Sequence, residues 1–380
     1  MRRLSLSGSD DYASDTLLRL SSNSPGGLLF PKLESLSWYI HTAPSALPFF
    51  HLFLSPHLQR VDIHGYLPDI LERVLTPLTQ MISLLPTSLQ YLSIMCGQLE
   101  DEPFRDAISS LVCRCGPLLR SLETSVSLSE AAINHIMHLP NISHWTLAKE
   151  PPRVVPTPVL PSLESIRLYE PEALPWLHLL AWHERDLLRN DSTLPTPYTS
   201  IRERLKCLEC LGTIVNTTFV SSVVRFPNLV ILNVYTECYG AGGCIFRLTD
   251  DDMEDLAASV PHLKTLQLGL PCWLNSCNTT VASLMSISVH CLDLTVLQTH
   301  FNTRTIVSDM QRLVSGGIGR DKVKCKLQRM MVRCLPLEVA GEDIETVAMG
   351  FKVIFPCLTG LWSQGSDWER LRSKIAGLRR

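Results

Sequence analysis

One short motif recurs along this chain and limits what it can fold into. It runs apolar, two other residues, apolar, one other residue, apolar. Copies start at Leu33, Leu58, Leu89, Leu118, Ile142, Leu163, Leu205, Leu229, Leu263, Leu294, Leu327 and Leu358. Many carry a proline two or three positions ahead, as in Phe30-Pro31-Lys32-Leu33-Glu34-Ser35-Leu36-Ser37-Trp38 and Ser55-Pro56-His57-Leu58-Gln59-Arg60-Val61-Asp62-Ile63. Leu163-Glu164-Ser165-Ile166-Arg167-Leu168 and Leu263-Lys264-Thr265-Leu266-Gln267-Leu268 are the clearest copies, and those at Leu118, Leu205 and Leu327 the weakest. The steps between anchors are 25, 31, 29, 24, 21, 42, 24, 34, 31, 33 and 31 residues. One match means little in a leucine-rich chain, but twelve do not arise by accident.

The period has a physical meaning. The fourth and sixth positions of each unit are apolar and the residues between them mostly polar, which fits a short strand with one face buried. Helical stretches separate the strands, for example Ser129 to Leu139 and Asp250 to Val260. Thr249 reads as an N-cap, and the acids that follow it suit the positive end of a helix dipole. Strand, helix, strand, repeated, predicts a parallel sheet with right-handed crossovers. Most steps lie in or a little above the leucine-rich-repeat range of about 20–29 residues. The expected fold is therefore an α/β leucine-rich-repeat solenoid, with parallel strands on the concave face and helices on the convex face.

In such a stack each unit packs only on its neighbours, so 380 residues need not divide into ordinary domains. Residues 28–365 are expected to form about twelve units, with an insertion near 170–200 inside the 42-residue step. That insertion holds Trp176 to Arg189 and then turn-rich Asn190 to Pro197, and is expected in loops outside the core. Residues 1–27, rich in Ser and Asp, are expected to be a mobile tail with one helical turn near Leu17 to Leu20. Residues 366–380 read as a basic capping helix.

Composition narrows the function. The net charge of −3 gives no electrostatic reason for a polyanion partner, so no nucleic-acid partner is expected. Ala46 to Leu58, the most apolar stretch, is broken by prolines, histidines and a serine, and no membrane span is expected. Met1-Arg2-Arg3 lacks the apolar run of a secretory signal. Thirteen cysteines, an odd number without regular spacing, favour free thiols in a reducing compartment, cytoplasmic or nuclear. The sequons at Asn141, Asn190, Asn216 and Asn278 then read as chance matches.

No arrangement nominates an enzyme, a metal or a cofactor. Cys207 and Cys210 have C-x-x-C spacing, but on a strand residues three apart point to opposite faces and cannot share a zinc ion. Cys238, Cys244, Cys272 and Cys277 show no ligand spacing. His135 and His138 sit three apart on a helix without an acidic third ligand. The acids from Asp250 to Asp255 are explained by the helix start. Gly316-Gly317-Ile318-Gly319-Arg320 lacks the Lys-Ser/Thr ending of a phosphate loop and follows a helical stretch, Asp309 to Val314.

Function is expected on the concave face, where residues two, four and six after each anchor should project. These are Tyr39; Arg60, Asp62 and His64; Tyr91; His144; Arg167 and Tyr169; Glu209; Asn233 and Tyr235; Gln267; Gln298 and His300; and Arg329 and Arg333. Tyrosine and arginine are over-represented at protein-binding hot spots. The partner expected here is a protein. A rival reading puts a small-ligand or enzyme site in the irregular middle, Glu170 to Leu211.

Phe30 to Trp38, Leu248 to Asp252 running into Pro261 to Leu268, and His290 to Leu294 resemble the leucine-rich-repeat region of fungal, especially basidiomycete, F-box proteins. The resemblance covers roughly residues 28 to 365. It implies a ribonuclease-inhibitor-like horseshoe and substrate recognition in an SCF-type ubiquitin ligase. An F-box is about forty residues of helix with a Leu-Pro start, and the residues ahead of Leu33 carry no such pattern. SCF components are thus expected as partners only if an F-box exists in the full gene product, and no residue here takes the adaptor contact. Without one, the chain would be an F-box-less scaffold unrelated to ubiquitination.

Overall fold

A computed structural model describes residues 2–6, 10–23, 27–40, 44–65, 71–96, 101–147, 160–169, 175–178, 180, 201–212, 214–235, 246–269, 278–316, 325–332, 337, 339, 341, 343–363 and 366–378. The chain divides into two compact units, Met1–Ile166 with Pro195–Tyr198, and Arg167–Leu194 with Thr199–Arg380.

In the first unit six strands pair in chain order, each parallel to the next: β1 (Arg3–Leu6), β2 (Ser35–Tyr39), β3 (Arg60–His64), β4 (Tyr91–Met95), β5 (Ser121–Thr124) and β6 (His144–Leu147). A seventh strand, β7 (Ser165–Tyr169), spans the division. In the second unit β8 (Cys207–Leu211), β9 (Ile231–Tyr235), β10 (Thr265–Leu268), β11 (Val296–Thr299), β12 (Arg329–Val332) and β13 (Gly360–Trp362) do the same.

Register is set just before each strand begins. The Glu34 carbonyl accepts N–H groups from both Gln59 and Arg60, at 2.9 and 3.0 Å. The Gln59 carbonyl does the same for Gln90 and Tyr91, and Gln90 for Arg120 and Ser121. In the second unit the Lys206, Val230, Lys264, Thr295 and Gln328 carbonyls repeat the arrangement. Each repeat thus offers one acceptor to two successive donors of the next.

Burial follows the motif. Leu36 and Trp38, Val61 and Ile63, and Leu92 and Ile94 are fully buried, as are Leu208 and Cys210, Leu232 and Val234, and Leu266 and Leu268. They occupy the fourth and sixth positions of their units. With the anchor leucines they form the core that the helices cover. Within each unit the solenoid is of leucine-rich-repeat type.

The helices stand side by side on the other face of this core. In the first unit Leu71–Leu84 packs on Glu102–Arg114, and that on Glu130–Met137. In the second, Asp250–Ser259 packs on Val281–His290, and Ile306–Ser315 on Asp343–Ile354. Met253, Leu256 and Ala257 are buried, at the three- and four-residue spacing of one helix face. Thr249 is the N-cap in a full capping box with Asp252, and Ser129 caps its own helix through Ala132 N–H. Asp250 reaches beyond its helix. Its carboxylate accepts from Thr280 N–H and hydroxyl, both at 2.7 Å, and from Ser283 N–H at 3.2 Å. It therefore satisfies donors at the start of the next helix, which would otherwise have no partner.

Three readings of the sequence need correction. Residues 1–27 are not simply a tail, since they contain β1 and a helix, Asp10–Asn23, with Leu17 buried. The fourth anchor is Leu119, fully buried, whereas Leu118 is 52% exposed. Pro117-Leu118-Leu119 offers two leucines, and only Leu119 stands three residues before the buried Leu122. The 42-residue step is not all surface loop, because Trp176, Leu177 and Leu180 are buried. Gly316 caps the helix Ile306–Ser315, and the rest of that glycine run lies outside the described residues.

Leu266→Ala should destabilise the protein by about 2–4 kcal/mol through cavity formation, and Asp250→Ala by about 1 kcal/mol through lost capping. Gln267→Ala, one residue from Leu266 on the opposite face, should stay within about 0.5 kcal/mol of the parent. Urea denaturation followed by circular dichroism ranks the three. A Gln267 variant that falls below the Leu266 variant would show the strand register to be wrong.

Candidate functional site

The strand face turned away from the helices carries the polar side chains, and in the first unit several of them interact. Arg60 donates from Nε to Asp62 Oδ2 at 2.8 Å and from a terminal nitrogen to Oδ1 at 3.3 Å. The Ser37 hydroxyl donates to the same carboxylate at 3.1 Å. The Asp62 carboxylate is the main reason the Arg60 guanidinium is held above its ordinary pKa. Fixed there, Arg60 places its Cζ 5.6 Å from the centre of the Tyr91 ring, within cation–π range. Tyr39 stacks on His64 with ring centres 5.5 Å apart. Tyr39 is 37% exposed, and Tyr91 and His64 are half-buried. One strand further, Ser93 donates to Glu123 at 3.2 Å. His144 is exposed, its Nδ1 2.9 Å from the Ser143 hydroxyl.

The second unit carries a polar row. Arg167 Nε donates to Glu209 Oε2 at 2.5 Å, and Asn233 Nδ2 to Glu209 Oε1 at 3.1 Å. Asn233 faces Gln267, which faces Gln298. The Tyr235 hydroxyl donates to Gln267 at 3.3 Å, and burial, then Glu209, pushes that phenol up. Gln298 donates to the Gly269 carbonyl at 2.6 Å. Gly269 has φ of +78°, a conformation that favours glycine. Asn233 Oδ1 is buried without a hydrogen-bond partner among the described residues.

Facing the right side is not the same as reaching water. Asp62, Asn233, Gln298 and His300 are only 8%, 7%, 6% and 4% exposed. They support or space the surface rather than offer themselves to a partner. His300 follows β11 and packs at 5.3 Å from Phe246. Arg329 is exposed. The Tyr169 side chain and Arg333 lie outside the described residues, as do Cys238, Cys244, Cys272 and Cys277 and most of the irregular middle segment.

Trp362 was missed in the sequence, although the same counting rule finds it four residues after the Leu358 anchor. It is 41% exposed on β13, with Met331 as its register partner on β12.

Among the described residues no three His, Cys, Asp or Glu side chains group as metal ligands. Cys207 is half-exposed and Cys210 buried, so they do point to opposite faces. His135 and His138 do not meet. Their ring nitrogens lie 2.9 Å from the Cys115 carbonyl and 2.7 Å from the Asn134 carbonyl. Burial pushes the Cys96 and Cys291 thiols up to about 12, and those of Cys115 and Cys325 up to about 11. No helix among the described residues is long and apolar enough to cross a membrane.

No family model matches the chain, and no curated protein does. Solved structures similar to it include Rad7 in its complex with Elc1 in yeast, 16% identical over 88% of this chain and 77% of that one, TM-score 0.46. An internalin (inlF) from Listeria monocytogenes is 12% identical over 96% and 94%, TM-score 0.40. TLR13 in its complex with ssRNA13 is 14% identical over 98% and 48%, TM-score 0.39. Likeness this distant leaves strand register and buried repeat positions as the basis for the fold.

The thiols give a direct check on burial. The reactive species is the thiolate, which a raised pKa makes scarce. Iodoacetamide at pH 8 should label exposed Cys113 well before Cys96, Cys115, Cys210, Cys291 or Cys325 in the native protein. Peptide mass spectrometry over time reads the order, and urea should abolish it.

Proposed function

We propose that this chain is a protein-recognition module that binds its partner on the strand face of the repeats. One observation carries the reading. Two pairs on the strand face, Tyr39 stacked on His64 and Arg60 over Tyr91, each keep part of their surface in solvent, with Arg60 pinned by Asp62. Tyrosine and arginine supply large contact area, and side chains already held in place lose less entropy on binding. The reading is non-enzymatic, since nothing among these residues pairs a nucleophile with a base.

The finer proposal is that the bound protein is a substrate of an SCF-type ubiquitin ligase. Its support is the resemblance of the repeats at Phe30–Trp38 and Leu248–Leu268 to those of fungal F-box proteins. The alternative is a scaffold outside ubiquitination. Affinity capture of the full-length product from its own cells separates them, since only a ligase receptor should bring down an SCF adaptor with its partner.

For the recognition reading, Tyr39→Ala and Tyr91→Ala should each weaken partner binding about tenfold or more, equivalent to about 1.4 kcal/mol. Their melting temperatures should barely change. Calorimetric titration with the captured partner measures the first and a thermal melt the second. Full affinity in both variants, with the fold intact, would exclude these pairs as the recognition surface.

A further inference from the structure

The second unit ends in a surface of a different kind. On the outer face of β12 and β13, Arg329 stands opposite Gly360 and Met331 opposite Trp362. The Trp362 ring lies back across Gly360. A Cβ built on that glycine would come within 2.4 Å of the indole. Any other residue at 360 would push the ring away. The absence of a side chain there therefore sets where the tryptophan sits. Trp362 is nonetheless 41% exposed, a large apolar area to leave in water.

The surroundings say what would cover it. Among the described residues of this face on β11 to β13, namely Val296, Gln298, Arg329, Met331, Gly360 and Trp362, Arg329 is the one charge. It is exposed, and no ion pair to it is found among the described residues. The complement of an indole and a thioether beside a lone cation is an apolar or aromatic side chain beside a carboxylate. Spacing follows from sheet geometry. With the indole lying over Gly360, the apolar contact is one strand spacing, about 4.8 Å, from the Arg329 backbone; an extended arginine side chain carries its charge further out, and an extended segment advances about 3.3 Å per residue. Two or three residues of a partner cover that distance.

The geometry points to a docking site on β12–β13 for an extended acidic peptide segment of a partner protein, carrying an aromatic or large apolar residue two or three positions from an Asp or Glu. Trp362 and Met331 take the apolar side chain, and Arg329 takes the carboxylate. The inference rests on the reading that the strand face binds protein, but it uses different residues from the Tyr39 and Arg60 pairs. A single-stranded nucleic acid could also stack a base on Trp362, but one arginine gives phosphates little hold.

Selection of random 12-residue peptides displayed on phage, against the full chain, tests it. The enriched peptides are then synthesised and titrated against wild type, Trp362→Ala, Gly360→Ala, Arg329→Glu and Tyr39→Ala, with a twelve-nucleotide oligothymidine as a second probe. The peptides should share an acid two or three positions from an aromatic or large apolar residue. Trp362→Ala and Gly360→Ala should weaken them at least tenfold, the latter because the ring is displaced though still present. Arg329→Glu should weaken them too and favour versions with the acid changed to lysine, while Tyr39→Ala should leave them unchanged. If Gly360→Ala fails to fold, the Trp362 and Arg329 variants decide. Enrichment of no peptide sensitive to Trp362→Ala, or of peptides without the acid, overturns the proposal, and so does oligothymidine binding that Trp362→Ala abolishes. Peptides lost to Tyr39→Ala but not to Trp362→Ala would overturn it while leaving the first-unit surface standing.

Discussion

The repeated backbone contact just ahead of each strand organises the rest. One carbonyl, that of Glu34, Gln59 or Gln90 in the first unit and Lys206, Val230 or Lys264 in the second, takes two successive N–H groups from the following repeat. The strands are only three to five residues long, too short to choose a register through many ladder bonds. Because side chains alternate along a strand, a slip of one residue would exchange the buried and solvent faces. The paired donors and the buried anchor leucine oppose that slip together, one through the backbone and one through packing.

The repeat was legible because its signal survives wide variation in length. Leu163–Leu168 and Leu263–Leu268 give strands in which the fourth and sixth residues of the motif are buried, as their spacing predicts. The failures have specific causes. Met1-Arg2-Arg3-Leu4-Ser5-Leu6 fits the motif, pairing Leu4 with Leu36 and Leu6 with Trp38, but its anchor position holds methionine rather than leucine or isoleucine. Pro117-Leu118-Leu119 offers two frames. Trp176 is buried in a segment with no periodic frame to announce it.

The candidate surface was legible in orientation and not in depth. Alternation tells which face a residue occupies, but not how much water reaches it. The position four residues after the anchor sits mid-strand, flanked along its own strand and by both neighbouring strands. Asp62, Ser93, Asn233 and Gln298 are consequently covered there. The flanking positions, such as those of Tyr39, Arg60 and Tyr91, stay more open. The buried polar residues still matter to the surface. Asp62 is why Arg60 has one orientation, and Glu209 joins Arg167 to Asn233.

Where successive repeats share the carbonyl contact, the unequal steps between their anchors leave no trace in the strand pairing. Steps of 24 and 34 residues on either side of Leu229 both end in parallel strands in continuous register. Extra residues fall in the segments between strands. Within a unit, the spacing between side chains on the outward face is a property of the backbone alone. The chain can lengthen or shorten a repeat without moving the outward-facing rungs of its strands, so the back of each unit and its strand face are free to change at different rates.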